Sequence, residues 1–141
     1  MRFWDASAVV PLVLDEAGRE PLIALVERDP VLVVWWGTVI ECTSAIARRE
    51  REAAMTLSQA TRSLERLRVL SKGLQEVAPA DAVRAIAQRL LRLHPLRAAD
   101  SLQLAAALVA AEREPASLEF VCLDERLGEA AEREGFRVLR G

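Results

Sequence analysis

The chain has 141 residues, 52% hydrophobic and 28% charged, with a formal net charge of −2. That balance fits one soluble globular domain and excludes a disordered chain, while the near-neutral sum excludes bulk basicity as a sign of nucleic-acid binding. Two isolated cysteines, Cys42 and Cys122, exclude a disulfide scaffold or a paired-cysteine metal site, and are expected as buried free thiols in a reducing compartment.

The first apolar run, residues 2–4, reads as a strand that turns at Asp5, followed by a helix over residues 7–14. The apolar stretch 6–14 is too short to span a bilayer and is broken by Pro11, and Asp5 stands where a signal peptide would be basic. A cytoplasmic protein with a mature N-terminus is expected. A second helix is predicted over 18–26, stopped near Asp29 and Pro30. Residues 31–35 are a continuous apolar run, suited to a strand buried on both faces.

Helices are predicted over 38–51 and 57–71, the second with Leu57, Ala60, Leu64 and Leu67 as one buried stripe. A short strand over 74–77 precedes a helix from Pro79 to His94, which Pro95 ends. A strongly apolar helix follows over 97–113, then a strand over 118–123. A helix over 125–134, stopped by Gly135, leads to a last strand over 136–139. This alternation predicts an α/β domain spanning residues 1–141, with a central parallel sheet flanked by helices.

Four acids fall at strand exits or in first helical turns: Asp5, Glu41, Asp100 and Asp124. Crossover helices run antiparallel to the strands, so these positions share the C-terminal edge of the sheet, where open α/β sheets bind ligands. Ionised carboxylates ~5 Å apart at an effective dielectric of ~20 repel by roughly 3 kcal/mol per pair. An all-oxygen cluster is best neutralised by Mg²⁺ or Mn²⁺. That points to metal-dependent phosphoryl transfer or phosphodiester hydrolysis. The rival reading is helix capping: Asp5 and Asp124 as N-caps, and Thr38 with Glu41 as a capping box. Asp100 fits that rival least, because Arg97 stands at its cap position and cannot accept a hydrogen bond.

With Asp5-Ala6-Ser7-Ala8, Glu41, Arg97-Ala98-Ala99-Asp100-Ser101 and Leu123-Asp124-Glu125-Arg126-Leu127 in place, the whole chain resembles the PIN-domain ribonucleases, and within them the VapC-like toxins. The resemblance implies that Asp5, Glu41, Asp100 and Asp124 bind one or two Mg²⁺ or Mn²⁺ ions and activate water for RNA cleavage. It also implies a cognate antitoxin and a homodimer; the helix pair 38–71 offers the antitoxin an apolar groove, unless its apolar faces serve only core packing. Cys122 departs from the family, since many relatives carry Ser or Thr two residues before the last acid.

Ser7 is a candidate donor to Asp5 or to water, and Arg97 a candidate contact for a substrate phosphate or a neutraliser of the acids. His94 reads as a helix-end histidine favoured by the dipole. Trp4 and Trp35 are expected to pack around the sheet and Trp36 to lie partly at its edge, while Arg48, Arg49 and Arg51 form a basic cluster. A receiver-type signalling domain is disfavoured because the only lysine, Lys72, precedes the last strands. A haloacid-dehalogenase-like phosphatase is disfavoured because Ser7 takes the place of its second aspartate. The remaining alternative is a PIN-like module that binds RNA or protein without cleaving.

Overall fold

The computed structural model describes residues 1–14 and 16–141. Among them, five strands form one sheet: β1 (Arg2–Trp4), β2 (Leu32–Trp35), β3 (Gln75–Val77), β4 (Phe120–Val121) and β5 (Val138–Leu139). All pairings are parallel and the order is β3-β2-β1-β4-β5. The helices are α1 (Ala6–Val13), α2 (Glu20–Arg28), α3 (Thr38–Arg51), α4 (Leu57–Ser71), α5 (Asp81–Leu93), α6 (Ala98–Ala110) and α7 (Glu125–Arg133).

Alternation along the strands sorts the core into two layers. Phe3, Val33 and Phe120 pair in register and face α5, α6 and α7, with Phe3 stacked on Phe120 at 5.3 Å between ring centroids. Trp4, Val34 and Val121 face the other way, against α1 to α4. Both faces are covered, which is why β2 reads as an unbroken apolar run.

From β1 the chain steps outward to β2 and β3, then returns to β4 and β5 on the other side of β1. Right-handed crossovers in opposite directions place helices on opposite faces. The order therefore reverses between β1 and β4, and the crevice above their carboxyl ends is the natural ligand site of such a sheet.

Three expectations are corrected. The buried stripe of α4 is Ala60, Ser63 and Leu67, whereas Leu57 and Leu64 are exposed. Leu64 stands one residue, about 100° around the helix, from the Ser63 stripe. The helix predicted over 97–113 ends at Ala110, because Glu112 and Arg113 take φ of 52° and 61° and leave the helix. The helix expected from Pro79 begins at Asp81, because Ala80 is extended.

Candidate active site

Asp5 leaves β1 and caps α1, with its Oδ2 accepting from the Ser7 amide at 3.1 Å and from the Ser7 hydroxyl. Ser7 Oγ also accepts from the amides of Leu123, at 2.9 Å, and Asp124, at 3.1 Å. One hydroxyl thus ties the β1–α1 turn to the β4–α7 turn across the point where strand order reverses. The Cys122 thiol lies 3.5 Å from Asp5 Oδ2 and 3.2 Å from the Asp124 carbonyl oxygen. Burial and the Asp5 charge push its pKa above the ordinary 9.0, so it remains a protonated donor. The residue that departs from the family pattern therefore reaches both turns as well. Ser7→Ala removes the tie and is expected to destabilise the fold by about 1–3 kcal/mol, read as a lower melting temperature.

Glu41 does not form a capping box with Thr38. Gly37 occupies the N-cap of α3, and the Glu41 carboxylate accepts from Gln103 Nε2, which also donates to Thr38 Oγ1 at 3.0 Å. Gln103 and Thr38 are buried. Sequence reasoning passed over Gln103, one turn beyond Asp100 on α6. Its signal was a large polar side chain inside an otherwise small and apolar helix. The capping box of this region lies instead on α4, between Thr56 and Gln59.

Asp100, in the first turn of α6, accepts from the Arg97 amide at 3.4 Å. Asp124 is exposed and caps α7, accepting from the Leu127 amide at 2.8 Å. Asp5 and Asp124 are therefore caps as well as candidate ligands.

Electrostatics links the acids. Burial raises the pKa of Asp5, and the charge of Asp100 adds to it against the hydrogen bonds of Ser7 and Cys122. Burial carries Glu41 to about 7, opposed by Gln103 and reinforced by Asp5 and Asp100. Asp100 is raised by burial and by Asp124, with Arg97 and Arg126 opposing. Among the described residues, no ion pair includes any of the four acids. Such a donor set, all oxygen and without a bound cationic side chain, suits a hard divalent ion. Among the described residues the side chains as they stand do not bring three acidic, histidine or cysteine groups within reach of one ion.

Trp4 and Trp35 are buried, and Trp36 is exposed at the edge. His94 is the C-cap of α5, and its Nε2 lies 2.8 Å from Glu134 Oε2, so its partner is a carboxylate on the neighbouring segment. Arg97 is exposed.

The sequence profile of the PIN domain matches residues 2–133, and the chain belongs to that family. No curated protein sequence matches it. Among solved structures, a chain of a toxin–antitoxin complex from Klebsiella pneumoniae is similar, with a TM-score of 0.66 at 14% identity, covering 99% of this chain and 97% of that one. A chain of FitAB bound to the IR36 DNA fragment gives 0.67 at 15% identity, covering 99% and 94%. FitAcB from Neisseria gonorrhoeae gives 0.59 at 17%, covering 99% and 97%. At these identities the likeness is one of fold. Among the described residues, no helix is long and apolar enough to cross a membrane.

Proposed function

We propose that this PIN-domain protein is a Mg²⁺- or Mn²⁺-dependent endoribonuclease acting in the cytoplasm as the toxin of a toxin–antitoxin pair. The observation that carries the reading is the coupling of Asp5, Glu41 and Asp100, whose proton affinities are raised by burial and by neighbouring carboxylates. Holding acids in that state costs stability, and a divalent cation offsets the cost.

Asp5 and Asp100 would hold the ion, with Glu41 and Asp124 completing the acidic set. A bound ion supplies charge relief at the phosphoryl oxygens and a water acidic enough to attack at neutral pH. The protein's own part is orientation. Ser7 and Cys122 fix the Asp5 carboxylate, Gln103 fixes Glu41, and exposed Arg97 is available to a substrate phosphate.

The fold shared with a chain of a toxin–antitoxin complex supports an antitoxin partner. Exposed Leu57 and Leu64 on α4, within the helix pair 38–71, offer that partner apolar contact. A homodimer is part of the same reading.

The test is incubation of purified protein with total RNA in Mn²⁺, Mg²⁺ or EDTA. Internal cleavage that requires metal is expected; intact RNA under every metal condition contradicts the nuclease reading. Expression of the chain alone is expected to arrest growth, and co-expression of its antitoxin to relieve the arrest.

A further inference from the structure

We propose that a single-stranded RNA backbone runs along a basic groove between α1, α3 and α4 that opens directly from the acidic site; the inference rests on the ribonuclease reading. Two concavities, of about 410 and 210 Å³, adjoin there and share Glu16 and Arg49. The first reaches Ser7 and Glu41, and the second ends at Arg62 on α4.

Glu41, Ala45, Arg48 and Arg49 follow at i, i+4, i+7 and i+8, so one face of α3 carries the site acid at one end and two guanidiniums at the other. The separation is about 10–12 Å along the helix. Arg48 and Arg62 are exposed and form no ion pair among the described residues. Arg49 is held by Glu16 at 3.0 Å.

Charge decides the occupant. Among the described residues, three guanidiniums and two carboxylates line the groove. Glu41 stands at the end that meets the acidic site and is one of the acids proposed to hold the metal, so beyond that site Arg48, Arg49 and Arg62 face Glu16. A polyanion lying across the metal site and leaving along α3 meets that pattern. Guanidinium is also the side chain suited to bidentate phosphate contact. The groove therefore holds the part of the strand flanking the cleaved bond, and contributes affinity without base identity.

The experiment is fluorescence anisotropy of a labelled mixed-sequence RNA 12-mer, in EDTA to prevent cleavage, over a series of salt concentrations. Each contacted phosphate on a single strand contributes a slope of about −0.7 in log K against log salt. Arg48→Ala and Arg62→Ala are each expected to weaken binding and to reduce the slope by about 0.7. Glu16→Gln is expected to tighten binding, and Arg92→Ala on α5, across the sheet, to match wild type. Circular dichroism confirms folding of each variant.

Reduced slopes in the two groove variants support the proposal even if no RNA is cleaved, which separates it from the nuclease reading. Metal-dependent cleavage by wild type, with unchanged affinity and slope in Arg48→Ala and Arg62→Ala, overturns the groove and leaves the nuclease intact. Absence of any binding at low salt also overturns it, because this contact is independent of sequence. Unchanged RNA binding together with lost antitoxin binding in the same variants overturns it too, and assigns the groove to protein.

Discussion

Asp5→Asn is expected to lower metal-dependent RNA cleavage by at least about 10²-fold while the protein melts at the same temperature or higher. Loss of a group that merely supports a metal ligand commonly costs about 10–100-fold, so loss of a direct ligand sets a steeper floor. The stability half of the prediction is what separates a site acid from a structural one. Asp5 is buried and caps α1, but Asn is an equally good cap and its amide oxygen can accept from the Ser7 amide. What Asn removes is a carboxylate whose charged form burial and the Asp100 charge both disfavour. Paired cleavage and thermal-melting assays check it. A variant that unfolds would make Asp5 a structural residue, and a variant that still cuts would remove it from the site.

The second large effect is a reversal in how stability depends on pH. Glu41 is lifted from 4.5 to about 7, and Asp5 and Asp100 are lifted in the same direction. A raised acid binds its proton more tightly in the folded state than in the unfolded one. Between about 4.5 and 7 the folded protein keeps a proton on Glu41 that the unfolded chain has lost, so stability falls as pH rises through that window. The acids shifted the other way do not interfere there. Asp29 and Glu65 are held down by hydrogen bonds from the N-terminal amine and from Arg68, and in Glu134 burial is outweighed by the hydrogen bonds of His94 and Arg89. Their contributions are lost only as pH falls below the ordinary carboxylate range. The metal-free melting temperature is therefore expected to drop by several degrees from pH 5 to pH 8, and Glu41→Gln to flatten the drop.

Mn²⁺ at millimolar concentration is expected to raise the melting temperature by binding only the folded state. The rise should be larger at pH 8 than at pH 5.5, since protons compete for the same carboxylates. Differential scanning fluorimetry over pH, with Mn²⁺ or EDTA, reads both trends. A flat metal-free profile with no metal response would leave the acids without the proposed role.

Much of the architecture was legible because it is local. Strand–helix alternation announces a parallel sheet, and the limits of α3 and α4 agree with the periodicity and breakers at their ends. Asp5, Glu41, Asp100 and Asp124 stand at strand exits and helix starts, from which one shared edge is expected without knowledge of strand order. What was not legible depends on partners far apart in the chain. The bonds from the Leu123 and Asp124 amides to Ser7 span 116 and 117 residues, and no local pattern encodes them.

Glu41 shows the same limit from the other side. Its local sequence fits a capping box, but Gln103, 62 residues away, takes the carboxylate. A tertiary partner in a buried setting outcompetes a cap that water could otherwise satisfy. The α4 stripe departs from the 3-4-3 spacing of its apolar residues because a buried serine, Ser63, takes the place that spacing gives to Leu64. Ala60, Ser63 and Leu67 fit against the neighbouring helices, and Leu57 and Leu64 remain outside.

The most direct test is cleavage of one RNA sample by wild type and by Asp100→Asn, each with Mn²⁺ and with EDTA. Cleavage by wild type in Mn²⁺ alone, absent from the variant and from both EDTA lanes, is the predicted result. Equal cleavage by both proteins, or cleavage that persists in EDTA, would contradict a metal-dependent site built on these acids.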